Sequence, residues 1–387
     1  MPNKRIIMAS SLTYSAPTRI GIHHYASLFA RNGWNVFFLS SQLSPLHIVR
    51  KGDRVYAKEK IRLWMKGGEW ENGIFSYSYM TVLPILPFWS SEFFLRNTLR
   101  FTLPRLSSIL ERHNFTGSDV MWIENPHLVK LPSKVKHNFL IYRIPDEIKE
   151  FKGCSSFILE KHQNALRSAN LVITTARRLY EKYNEMNLNG EVLYISNGVD
   201  FPHFSRGDLP MPLEYKAVPA PIIVYAGIVA QWFDQDLVIR CAKRLKNVSF
   251  VIIGPAIVDT SRMAAVENIY LLGVRKYDEL PSYLTNANVG IIPFKINELV
   301  ESVNPLKLYE YMAAGLPVVC TDWDEMREMA SPAMLAGDVD EFCDCVEKCF
   351  AVKNKKGLIS FARSNAWESR FQKIMREIES HCSCKHS

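Results

Sequence analysis

Ser302-Val303-Asn304-Pro305-Leu306-Lys307-Leu308-Tyr309-Glu310-Tyr311-Met312-Ala313-Ala314-Gly315-Leu316-Pro317-Val318-Val319-Cys320 reads as a short helix that turns sharply into a β-strand. Asn304 is a good N-cap and Pro305 a good first helical residue. Gly315 closes the helix and Pro317 prevents its continuation, so the apolar run from Val318 reads as a strand. At about 100° per residue, Lys307, Glu310, Tyr311 and Ala314 share one face, and Pro305, Leu308, Tyr309 and Met312 the other. The apolar face is expected to pack on a sheet while Lys307 and Glu310 look outward.

The same alternation extends on both sides. Apolar runs at 222–226, 250–253, 270–272, 289–292 and 318–320 read as strands separated by helical stretches. Three of them run into glycine, at Gly227, Gly254 and Gly273. Glycine at the carboxyl end of a parallel strand allows a sharp turn and the close approach of a ligand. A tight turn explains any one of them; three in one sheet favour a ligand crevice. None has G-x-G-x-x-G spacing, so the nicotinamide dinucleotide fingerprint is absent.

The first half carries strand candidates at 5–8, 36–39, 120–123, 139–142, 171–174 and 192–195. Helices are expected at 18–32, 96–112, 155–168 and 176–186, with Gly33 where a C-terminal cap belongs. The fold expected is α/β, two doubly wound Rossmann-like domains facing across a cleft. Residues 1–200 form the first domain and 221–365 the second. Residues 201–220, with Pro202, Pro210, Pro212 and Pro219, read as a linker. Residues 366–387 read as a helix that returns to the first domain.

A chain of 387 residues exceeds what one core usually supports, which agrees with two domains. The apolar run 6–9 is too short for a signal-peptide core or a membrane span, so a cytoplasmic location is expected. The eight cysteines include no pair of C-x-x-C motifs, which argues for reduced thiols and against zinc. Net charge is +8, unevenly spread: residues 1–200 hold 26 Lys and Arg against 16 Asp and Glu, and the rest is near neutral. A polyanionic partner for the first half follows.

A helix N-terminus offers unpaired N–H groups and a partial positive charge, and Lys307 adds a full one for a pyrophosphate. Glu310, one turn on, accepts hydrogen bonds from ribose hydroxyls. Taken alone, the two residues are as well explained by a surface ion pair worth a few tenths of a kcal/mol. The whole string, however, resembles the donor-site helix of GT-B glycosyltransferases, in which a glutamate is followed by small residues and Gly-x-Pro-Val-Val. Ser196-Asn197-Gly198-Val199-Asp200 and Tyr225-Ala226-Gly227, followed by Trp232, Phe233 and Asp234, are similar to further segments of these enzymes. Gly273-Val274-Arg275 resembles their loop that meets the base.

This resemblance implies a nucleotide-sugar donor, most simply a UDP-sugar, held by Gly227, Gly273, Val274, Arg275, Pro293, Ser302, Asn304, Lys307 and Glu310. Two departures lean towards inversion of the sugar. The glutamate that the large retaining family has eight positions before the helix glutamate is Ser302 here. The Arg and Lys that often follow the first donor-domain strand are missing from Ile228-Val229-Ala230-Gln231-Trp232.

Within the fold the chain resembles the xanthan glucuronosyltransferase type, in which an aspartate near an N-domain strand end is the catalytic base. The matching position is Asp146, for which helix capping is the competing explanation. Glu124, also at a strand end, is the second candidate. Arg19 and His23 are expected on the acceptor side. The Asp-x-Asp spacings at 234/236, 322/324 and 338/340 each precede a helix and read as caps; no metal and no cofactor is expected.

Residues 81–112 interleave Phe88, Trp89, Phe93, Phe94, Leu95, Leu99, Phe101, Leu103 and Leu106 with Arg96, Arg100, Arg105 and Arg112. This suits either a buried helix with outward arginines or a segment lying on an anionic membrane. The second reading implies a lipid-linked saccharide acceptor and a peripheral position on the inner face of the cytoplasmic membrane. Competing readings are a catalytically inactive sugar-nucleotide-binding partner and a nucleotide-sugar 2-epimerase on the same fold. Nucleic-acid binding has no motif to support it.

Overall fold

The computed structural model describes residues 4–16, 18–43, 54–81, 99, 101–125, 128–150, 154 and 156–384. The chain forms two compact units, Met1–Ile195 with Phe371–Ser387, and Ser196–Arg370.

The first unit is built on β1 (Arg5–Ser10), β2 (Asn35–Leu43), β3 (Glu69–Glu71), β4 (Ile74–Thr81), β5 (Thr102–Leu103), β6 (Gly117–Ile123), β7 (Lys136–Ile144), β8 (Leu171–Thr174) and β9 (Glu191–Tyr194), ordered β3-β4-β2-β1-β6-β7-β8-β9 with β5 on β4. The pairings from β4 through β9 are parallel; β3 and β5 run antiparallel to β4. Ile6, Ile7, Met8 and Ala9 are fully buried, as a central parallel strand covered on both faces requires. Helix α1 (Gly21–Arg31) follows β1 and packs Tyr25, tilted, and Phe29, edge-on, against Trp122. Gly33, beyond its last turn, has φ +79°, a conformation that favours glycine.

Among the described residues, the expected helix over 96–112 is helical from Leu106 to Arg112. Thr102 and Leu103 pair with β4, and Pro104, which lacks an N–H, separates strand from helix. Residues 96–98 and 100 lie outside the described residues, as do Phe88, Trp89, Phe93, Phe94 and Leu95. Helix Arg54–Lys66 and strands β3 and β4 have no counterpart in the expectations from sequence.

The second unit holds β10 (Ile222–Ala226), β11 (Ser249–Ile253), β12 (Ile269–Gly273), β13 (Val289–Ile292), β14 (Val318–Thr321) and β15 (Met334–Ala336), all parallel, in the order β12-β11-β10-β13-β14-β15. The stretch 201–220 is not a free linker. Phe204, Tyr215 and Val218 are buried in this unit's core, so the prolines shape a segment that packs against the sheet. The chain returns to the first unit within helix Trp367–Cys384, where Phe371 meets Phe29 edge-on at 4.9 Å.

Helix α2 (Leu306–Ala313) is one residue shorter at its start than the sequence suggests. Pro305, extended at ψ 120°, takes the cap position, and Asn304 lies outside the helix. Tyr311 does not share the outward face. It is fully buried, its ring so close to Gly290 that a Cβ there would lie 2.4 Å from it, and its hydroxyl accepts the Ala226 N–H at 2.7 Å. Tyr311→Phe leaves that buried N–H unpaired and should cost about 1–3 kcal/mol, read as a lower urea midpoint at unchanged slope.

Candidate functional site

In the second unit the loops after β10, β11 and β12 lie side by side at the carboxyl ends of the strands. The Gly227 N–H donates to Ile253 O at 2.8 Å, and the Gly254 N–H to Gly273 O at 2.8 Å. A Cβ on Gly254 would stand 2.1 Å from Gly227 O. Gly273, at φ +71°, has open space where a side chain would be.

Helix α2 places Lys307 against the first of these loops. A Cβ on Gly227 would lie 2.1 Å from Lys307 Cε and 2.5 Å from its Nζ. The ammonium is 5.2 Å from the Tyr225 ring centroid and 5.6 Å from that of Phe294, so two aromatic faces hold it. Glu310 lies one turn further. Among the described residues neither the ammonium nor the Glu310 carboxylate has a hydrogen bond or an ion pair, so the surface ion-pair explanation does not hold. Desolvation pushes the Lys307 amine down from its usual range, against the pull of Glu310. It raises the Glu310 carboxyl to about 7; Lys307 opposes the rise and Asp200 adds to it. A half-buried cation and a half-buried carboxylate without partners fit a ligand that supplies an anion to one and hydroxyl donors to the other.

Other residues expected around the donor serve the frame. Asn304 is buried and fully engaged: its Oδ1 accepts from Asn197 N and Tyr309 Oη, and its Nδ2 donates to Glu325. The Asn197 amide donates in turn to Asn304 O at 2.7 Å, locking Ser196-Asn197-Gly198 to the start of α2. Arg275 donates to Tyr283, to the carbonyls of Leu272 and Val274, and to Glu214, which leaves its guanidinium committed within the unit. The half-exposed Val274 and the Gly273 backbone remain open. The Pro293 carbonyl accepts Asp234 N, and Ser302 is buried at the end of helix Glu298–Glu301. Sequence reading missed the aromatic walls Tyr225 and Phe294 and the field of Asp200. An aromatic residue within two positions of a strand's end was the available signal.

In the first unit, β6 and β7 deliver Glu124, Arg143 and Asp146 to one end of the sheet. Arg143 and Glu124 form a buried ion pair, their side chains 2% and 4% exposed. The guanidinium lies under the start of α1, where a Cβ on Gly21 would be 2.8 Å from Nη2, and 5.7 Å from the Tyr25 ring. Asp146 is half-buried with its carboxyl raised to about 6, first by desolvation, which Arg143 opposes and Glu124 reinforces. Glu124 is thus held in an ion pair with a guanidinium, whereas burial raises the Asp146 carboxyl. Asp146 does not cap a helix among the described residues; its neighbours fix the turn, with Thr175 Oγ1 donating to Pro145 O at 2.6 Å and Lys182 paired to Glu147.

His23 is a correction. It is fully buried, accepts the Ile20 N–H on Nδ1 and contacts Thr13 O through Nε2 at 2.9 Å, and burial lowers it to about 4. A neutral ring that closes the first turn of α1 does not line an acceptor site. Arg19 is half-buried over the Tyr14 ring at 5.9 Å. Of the Asp-x-Asp pairs, Asp234 and Asp338 cap helices, while Asp322 and Asp324 do not cap and instead grip Arg327. No cluster of metal-binding type occurs among the described residues.

Known proteins extend this geometry. Residues 8–175 match the N-terminal domain of the glucuronosyltransferase GumK, and residues 220–351 match the glycosyl transferases group 1 family. TuaH of Bacillus subtilis, assigned to teichuronic acid biosynthesis as a glycosyltransferase, is 23% identical over 280 residues, 66% of this chain and 70% of that one. Sucrose-phosphate synthase from Thermosynechococcus elongatus superposes with a TM-score of 0.71 at 12% identity, covering 99% of this chain and 100% of that one. Anabaena HepE in complex with UDP and glucose gives 0.67 at 13% identity, covering 98% and 100%. The chain is a glycosyltransferase of the GT-B fold, with a GumK-type first domain and a group 1 second domain.

Gly227→Ala places a methyl group where Lys307 Cε and Nζ now lie. It should weaken nucleoside diphosphate binding by about tenfold or more, because the Lys307 side chain must give way, and lower the Tm as well, because Gly227 has φ +158°, a backbone conformation that side chains rarely adopt. Calorimetric titration alongside thermal melting checks both.

Proposed function

We propose that the chain moves a sugar from a UDP-sugar to a hydroxyl of a lipid-linked saccharide in polysaccharide assembly, with inversion and with Asp146 as base. The observation that carries this reading is the unpartnered Lys307 ammonium packed against Gly227, with the unpartnered Glu310 carboxylate one turn on. The UDP and glucose held by HepE, and the teichuronic acid assignment of TuaH, support the donor and the pathway class. The GumK-type first domain supports glucuronic acid as the sugar to test first.

In the reaction the acceptor hydroxyl attacks the anomeric carbon, its proton passes to Asp146, and the C–O bond to the nucleoside diphosphate breaks. Lys307 and the α2 N-terminus stabilise the charge that develops on the leaving group. Glu310 fixes the ribose through its hydroxyls. In this reading the positive charge that faces the leaving group comes from the protein, and turnover should be unchanged by excess chelator.

The acid-base assignment has a defined sign. Asp146 acts as the carboxylate, so kcat/KM is full above about pH 6 and falls as pH drops through it. Glu124→Gln removes a negative neighbour and frees Arg143 to serve Asp146, so the acid limb should move to lower pH. Asp146→Asn should abolish turnover of UDP-glucuronate with membrane lipid extract while donor binding persists. Wild-type turnover in that variant would remove Asp146 as the base, and no turnover of any UDP-sugar by the wild type would remove the donor class.

A membrane surface beside β3 to β5 belongs to the same proposal. Met65, Trp70, Phe101 and Leu103 are exposed there, at 74%, 50%, 46% and 53%, and Lys66 and Arg105 lie near them in sequence. Among the described residues no helix is long and apolar enough to cross a membrane. Co-sedimentation with anionic liposomes at low salt is expected, lost at high salt.

A further inference from the structure

The first unit carries a second constellation at the opposite end of its sheet. The amino-terminal ends of β1, β6 and β7 line an open cavity of about 590 Å³. Six rises of about 3.3 Å along β6, from Ser118 to Glu124, put it about 20 Å from Glu124. Arg5, Lys134 and Lys136 line it with His137 and a single carboxylate, Asp119. That carboxylate is already engaged by the Arg5 backbone N–H at 2.7 Å. Lys134 and Lys136 are exposed and have no ion pair among the described residues. Ser118, opposite His137 in the β6–β7 register, lines the same cavity; it is 5% exposed and its hydroxyl has no hydrogen-bond partner.

We propose that this cavity binds a phosphoryl group. Two ammonium groups without an ion pair among the described residues, the Arg5 guanidinium, which also donates to Asn114 O at 2.8 Å, and a hydroxyl lacking a partner supply donors and positive charge to a compact dianion, and these cations outnumber the single carboxylate of Asp119. The chemistry is shared by a phospholipid headgroup and by a free phosphate. Neither needs the donor site, and this site stands whether or not the UDP-sugar reading holds.

The test titrates inorganic phosphate into the full chain with UDP present, and compares Lys134→Ala/Lys136→Ala and, separately, Ser118→Ala. Saturable binding by the wild type, weakened about tenfold or more in the double variant and less in Ser118→Ala, is expected. Absence of binding, or equal affinity in the double variant, overturns the proposal. The exposed lysines are not packing residues, so the double variant should keep the wild-type Tm. Phosphatidylcholine vesicles with and without phosphatidic acid separate the sources. Phosphatidic acid-dependent co-sedimentation that the double variant loses identifies a headgroup. Co-sedimentation unchanged in the double variant, with phosphate binding lost, identifies soluble phosphate.

Discussion

Lys307 occupies the space that any side chain on Gly227 would need, and the donor half of the molecule is arranged around that contact. It requires a glycine at the end of β10, a short helix that starts beside it, and a frame stiff enough to hold both. Asn197 and Asn304 supply part of the frame through paired side-chain and backbone hydrogen bonds. Tyr311 supplies the rest by wedging under α2 against Gly290 and bonding the backbone of β10. A cation held this way loses hydration without a hydrogen-bonded anion among the described residues, and the diphosphate proposed above would supply one. The aromatic faces of Tyr225 and Phe294 soften the desolvation without satisfying it.

The first domain solves a related problem with the opposite device. Arg143 and Glu124 are buried together, and such a pair costs more in desolvation than surface pairs do. Its location suggests why that cost is tolerated: the pair sits under the first turn of α1 and beside Asp146. One charge draws the Asp146 carboxyl down and the other pushes it up, while desolvation decides the outcome. The result is a carboxylate more basic than usual at a fixed turn, which general-base chemistry needs.

The strand-and-glycine grammar of the second half was legible in the sequence, because parallel strands buried on both faces are continuous apolar runs that end in turns. The strands at 222–226 and 289–292 coincide with the observed ones. The spacing of Lys307 and Glu310 put them on one helix face, and their expected role came from the resemblance of the whole string to a donor-site helix. Asn304 and Arg275 are engaged with the protein frame, and polar residues near a site look alike in sequence whether they serve the ligand or the frame. Only their partners, Asn197 and Glu325 for one, Glu214 and Tyr283 for the other, tell the difference. His23 failed for the same reason, since burial against Thr13 O is a tertiary fact. The stretch 201–220 was misread because prolines were given more weight than the apolar residues between them.

The measurement that bears most directly on the donor site is calorimetric titration of UDP into the wild type and into Lys307→Met, which keeps the aliphatic stem and removes the charge. The account predicts saturable binding by the wild type and a loss of about tenfold or more in the variant, with the fold intact by circular dichroism. Equal affinity in the two proteins would contradict it.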